Sequence, residues 1–179
     1  MVFDPGEFLT RWTVRLAVAC YLARVCIEVS ATDEHRSKRL GRWCWTAGCL
    51  LFLAHVVCAF IYFHNWSHRL AYEHTAEQTR ESVGWDWGGG LYFNYLFTVL
   101  WATDTITWWC AAERHQRMPV GVFWPMHVFG AFMMFNATIV FGPPFWKWIG
   151  VVGAVGLLIR RLVQDRRDRQ RRTVKRVVK

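Results

Sequence analysis

The chain has 179 residues, 54% of them hydrophobic and 17% aromatic, with a formal net charge of +9. Its apolar residues come in blocks of about twenty, the length a helix needs to cross a bilayer core about 30 Å thick, which argues against a soluble globule. The basic excess is uneven: residues 160–179 hold ten Lys/Arg against two Asp, which reads as an anchor beside anionic lipid and not as a nucleic-acid surface.

The opening residues, MVFDPGEF, carry acids where a signal peptide carries a basic region, so the first apolar segment is expected to be retained. Residues 9–29 form the first expected span. Arg11, Arg15, Arg24 and Glu28 lie towards its ends, where long Arg side chains can snorkel to the interface. Arg24 and Glu28 are spaced to pair along one helix face. For this segment alone an interfacial amphipathic helix is the alternative.

Residues 31–42 are expected to be a polar loop with Arg36, Lys38, Arg39 and Arg42. Residues 43–63 follow as a span without formal charge and with one histidine, His55. Trp43, Trp45, Tyr62 and Phe63 suit its interfaces. Residues 64–90 are a polar crossing that holds His64, His68 and His74. Its middle, 70–83, lacks Gly and Pro and predicts a short surface helix, with Arg69, Glu73, Glu77 and Glu81 recurring every four residues. Gly88, Gly89 and Gly90 then break the chain.

The third span, 91–110, contains Asn94 and Asp104. A tight connection, 111–119, carries Arg114 and Arg117. The fourth span, 120–141, contains His127 and Pro125. After a Gly-Pro-Pro turn comes the last span, 145–162, in which Gly150, Gly153, Ala154 and Gly156 offer a small-residue face for helix packing. The expected fold is an all-α integral membrane protein. A bundle of five transmembrane helices occupies residues 1–163, and a basic cytoplasmic tail occupies 164–179.

The Lys/Arg distribution orients the bundle. The loops 31–42 and 111–119 and the tail together hold sixteen, while the opposite side holds Arg69, Arg80 and Lys147, with Arg11 at the border. By the positive-inside rule the N-terminus lies outside and the C-terminus in the cytoplasm, in the plasma membrane.

Two sets of polar residues stand out. An ionisable group within a span is costly and usually faces the bundle interior or a wet cavity. Asp104 and His127 fall at nearly one level on consecutive helices, which predicts an intramembrane polar pair. Such a pair either locks the two helices or serves to handle protons or bind a ligand. On the outer side, His64 and His68 are spaced i,i+4 and would share one face of a continuing helix, the spacing used to chelate a metal. His74, Glu73 and Glu77 would complete a site for zinc, iron or copper. Haem between His55 and His127 is disfavoured by a mismatch of roughly 9 Å in depth. None of the six cysteines forms a CxxC pair, so they read as buried thiols.

These features rank three functions. The leading expectation is a non-enzymatic scaffold or accessory subunit of a membrane complex. Its partners would be the lipid bilayer, anionic lipid at the tail, and a membrane protein or a second copy. The alternatives are a metal-dependent enzyme or redox protein using the outer histidines, and a proton-coupled carrier using Asp104 and His127.

Overall fold

A computed structural model describes residues 4–30, 34–140 and 142. Among the described residues the fold is all-helical. The helices are α1 (Pro5–Ser30), α2 (Glu34–Tyr62), α3 (His68–Val83), α4 (Gly90–Cys110), α5 (Ala112–Gln116) and α6 (Val120–Phe135), which continues as one π-helical stretch, Asn136–Val140. The last expected span, its Gly150, Gly153, Ala154 and Gly156 face, and the basic tail lie outside the described residues.

Two helical segments, His35–Tyr62 and Val120–Val140, are long and apolar enough to cross a membrane. The expected polar loop 31–42 is largely helix, because α2 begins at Glu34. The Lys and Arg residues there are good helix formers, and no proline interrupts them. The 111–119 connection likewise contains a helix, α5. The cysteines are free thiols as expected, but only Cys49 is buried, and Cys26 and Cys110 are exposed. On a helix surrounded by few neighbours, an apolar segment presents part of its circumference outward.

α1 and α2 form an antiparallel hairpin. Thr10 meets His55 near one end, and Gly48 faces Cys20 further along. α4 lies antiparallel to α2, with Phe52 against Phe97 and Trp45 against Trp101. α6 packs on α4 through Phe129, which touches Phe93 and Phe97.

The core where these helices meet is Ala17, Val18 and Tyr21 of α1, Trp45, Cys49 and Phe52 of α2, Phe97 and Trp101 of α4, and Met134 of α6. The spacing of three and four residues puts each set on one helix face. Rings dominate: Trp101 sits 5.0 Å from both Trp45 and Phe97, in tilted arrangements that aromatic quadrupoles favour. Gly48 makes this possible, since a Cβ there would fall 2.9 Å from the Trp101 ring.

Candidate functional site

The polar side chains gather at two places. The first lies between the first half of α2 and the C-terminal part of α4. Asp104 is only 4% exposed. An ionised carboxylate offers only acceptors, and a buried one must find donors. Oδ2 accepts from Trp45 Nε1–H at 2.7 Å, and Oδ1 accepts from His115 Nε2 at 3.0 Å.

His115 reaches Asp104 because α4 stops. Ala111 leaves helical geometry at φ −143° and ψ 57°, and α5 starts again at a new angle. The His115 ring lies flat on Trp108, with centroids 4.7 Å apart and planes within 3°.

Arg24 of α1 completes the cluster. It is 4% exposed and bonds Glu28 at 2.7 Å. Its guanidinium sits 4.3 Å from the Trp45 ring centroid and 5.0 Å from that of Trp108. Trp45 thus gives its N–H edge to a carboxylate and its ring to a cation, which is the polarity of the indole π-system. Nearby, Arg42 donates to the Trp108 carbonyl at 3.4 Å and lies over Trp109, whose Nε1–H donates to Thr46 Oγ1 at 2.9 Å. The cluster ties α1, α2, α4 and α5 together.

His127 does not hydrogen-bond Asp104. Its Nδ1–H donates to the Phe123 carbonyl one turn back at 2.9 Å, and its Nε2 is buried without a partner. Its ring stacks on Phe123 at 4.0 Å and lies parallel to Trp45 at 6.3 Å. Trp45 therefore contacts both residues of the expected pair. Depth along a helix sets the level of a side chain but not its azimuth, and Asp104 turns to α2 and α5. A small cleft lined by Tyr21, Trp45, Phe97, Trp101 and His127 runs alongside. His55 donates Nδ1–H to the Thr10 carbonyl at 2.9 Å. It stands ten residues beyond Trp45 on α2, about 15 Å along the axis, so it and His127 do not face one iron.

The second place is the opposite end of α2. The helix stops at Tyr62, and Asn65 and Trp66 take left-handed backbone angles, φ 45° and 56°. That region costs roughly 1–2 kcal/mol for a residue with a Cβ and is rare for a bulky one. Ser67 then caps α3, its Oγ accepting from Leu70 N–H at 3.3 Å.

The reversal separates residues that a continuous helix would have aligned. His68 turns towards Tyr95, at 3.1 Å, and Tyr92. His74 comes back instead to His64, with ring centroids 5.3 Å apart and planes near perpendicular. Burial, and secondarily the nearby His74, lower the pKa of His64. Glu73 pairs with Arg69 and Glu77 with Arg80. Of His64, His68, His74 and Glu77, the structure thus brings His64 and His74 together and turns the other two elsewhere. Among the described residues, no three His, Cys, Asp or Glu side chains gather as a metal-ligand group.

The glycine run also has a packing use. A Cβ at Gly88 would fall 2.5 Å from the Tyr72 carbonyl oxygen, so α3 lies directly on the start of α4. Sequence reasoning missed Trp45, Arg24 and His115 as members of the Asp104 cluster. His115 had one available signal, a histidine in a short connection following a span with a single acid. The chain matches no protein-family model, no curated protein and no solved structure.

Proposed function

We propose that the chain is a five-span plasma-membrane protein, N-terminus outside, acting as a non-enzymatic scaffold or accessory subunit of a membrane complex. Two apolar segments of crossing length support the membrane placement, as do the Lys/Arg asymmetry and the outward-facing Leu50, Val99 and Val128. Large apolar side chains on so much of the surface suit lipid or a partner better than water.

The observation that carries the scaffold reading is the closure of Asp104. Both carboxylate oxygens are held by side chains from other elements, which is the arrangement of a cross-link between helices. Replacing Asp104 with Asn tests it. The variant is expected to lose thermal stability and partner co-purification while reconstituted vesicles show no change in proton flux. Retained stability together with altered proton flux would sink the scaffold reading. It would favour a proton-coupled carrier, for which the specific observation is the Asp104–His115 contact in place of Asp104–His127. Protease accessibility of residues 64–90 from the cytoplasmic face would overturn the orientation.

A further inference from the structure

We propose that His64 and His74 are two ligands of a zinc site at the α2–α3 turn. Zinc binds imidazole nitrogen at about 2.0–2.1 Å. The centroid of an imidazole lies roughly 1.1 Å behind its ligating nitrogen, which puts it about 3.2 Å from the metal at that bond length. Two such rings at a tetrahedral angle have centroids about 5.2 Å apart. His64 and His74 stand at 5.3 Å.

One ring has an unpartnered nitrogen, and the other has one nitrogen held by a side-chain amide. His64 Nδ1 is buried and has no hydrogen-bond partner. His74 Nε2 is engaged by the Gln78 side-chain amide at 3.1 Å. A half-turn of that amide presents its oxygen, so that Nε2–H donates and the lone pair of His74 is left on Nδ1. An outer partner on the second ring nitrogen is the usual way a ligating histidine is oriented.

The backbone holds the pair in place. Asn65 and Trp66, immediately after His64, are both in the left-handed region, and that double departure is what folds α3 back so that His74 meets His64. Costly backbone geometry of this kind persists where the surroundings enforce it, and it concentrates at ligand sites. His74 is exposed, so metal can enter from outside, and the remaining coordination positions belong to water or an incoming ligand.

This assignment differs from the i,i+4 spacing in the sequence. It pairs residues ten apart and leaves out His68, which Tyr92 and Tyr95 occupy. The test is zinc titration by calorimetry, with metal content by mass spectrometry, on the full chain in detergent or nanodiscs. One zinc per chain is expected. His64→Ala and His74→Ala should each weaken binding by about 100-fold, and Gln78→Ala by about tenfold, the scale of outer-partner effects. His68→Ala should leave the affinity unchanged. Thermal melts of each variant separate lost ligands from lost fold, and His74→Ala, at an exposed position, is the variant expected to melt like the parent. Zinc affinity unchanged in His74→Ala would overturn the site. So would a His68→Ala loss equal to that of His64→Ala, or uptake of copper with none of zinc.

Discussion

Between the first half of α2 and the C-terminal part of α4, Asp104, Trp45, His115 and Arg24 are held by partners on other elements, apart from the local Arg24–Glu28 pair. At the opposite end, the charged groups of α3 pair with neighbours three or four residues away, Arg69 with Glu73 and Arg80 with Glu77. Both regions contain histidine, acid and aromatic residues. The difference is burial. A carboxylate at 4% exposure must be satisfied by the fold, and so it helps to dictate the fold, whereas an exposed one is satisfied by water whether or not it is paired.

The sharpest way to break that contrast is to remove the buried acid. Asp104→Ala leaves Trp45 Nε1 and His115 Nε2 without an acceptor, and each buried polar group stranded in this way costs about 1–3 kcal/mol. Unfolding in detergent should show it as a large drop in thermal stability. A loss no larger than that of a surface substitution would mean that water already reaches the carboxylate.

The next effect centres on one bond. Trp45→Phe keeps an aromatic ring near Arg24 and removes the N–H that binds Asp104 at 2.7 Å, together with part of the buried indole. The expected cost is about 1–3 kcal/mol, the range for stranding one buried acceptor. A double-mutant cycle with Asp104→Ala should give a coupling of about 0.5–3 kcal/mol. Simple additivity of the two variants would show that the bond is not a cross-link.

These residues also show how far the sequence could be read. Helices were legible because apolar blocks and the absence of Pro and Gly have a direct local meaning. α3 was expected over 70–83 and runs His68–Val83. The start of α2 was not legible, because a charged stretch with a glycine and no proline suits a loop and a helix equally well. At the cluster, residue count put Asp104 and His127 at nearly one level, and both stand beside Trp45. Azimuth was not readable, since it depends on how α4 rotates against α2 and on where α5 turns back. His115 was hidden for the same reason. Gly88 was read as a chain breaker, while its packing depends on an oxygen sixteen positions earlier, the Tyr72 carbonyl.

Gly88 gives a third, smaller test, now of the α3 end. Gly88→Ala puts a methyl 2.5 Å from the Tyr72 carbonyl, and backbone there cannot yield without moving α3. Overpacking of this sort costs about 1–3 kcal/mol. Gly41→Ala is its control, because nothing lies within 4 Å of the added methyl. In the interior of α2 that change should be neutral or stabilise by about 0.5–1 kcal/mol. Equal losses from both would remove the argument that α3 is seated by close approach and not by its charges.

The smallest effect belongs to those charges. In the Arg69–Glu73 pair the two side chains are 87% and 53% exposed, and in the Arg80–Glu77 pair 56% and 51%. Exposed pairs on one helix gain little, because water competes for both ions and the long side chains lose freedom when they meet. Salt within the physiological range screens what remains. Arg69→Gln and Arg80→Gln should therefore melt with the parent protein, at low salt and at high salt alike. A salt-dependent loss of stability in either variant would mean that α3 is held by a charge outside its own turn, such as a lipid headgroup. The α3 end would then resemble the Asp104 cluster, where the buried carboxylate is fixed by side chains on other elements.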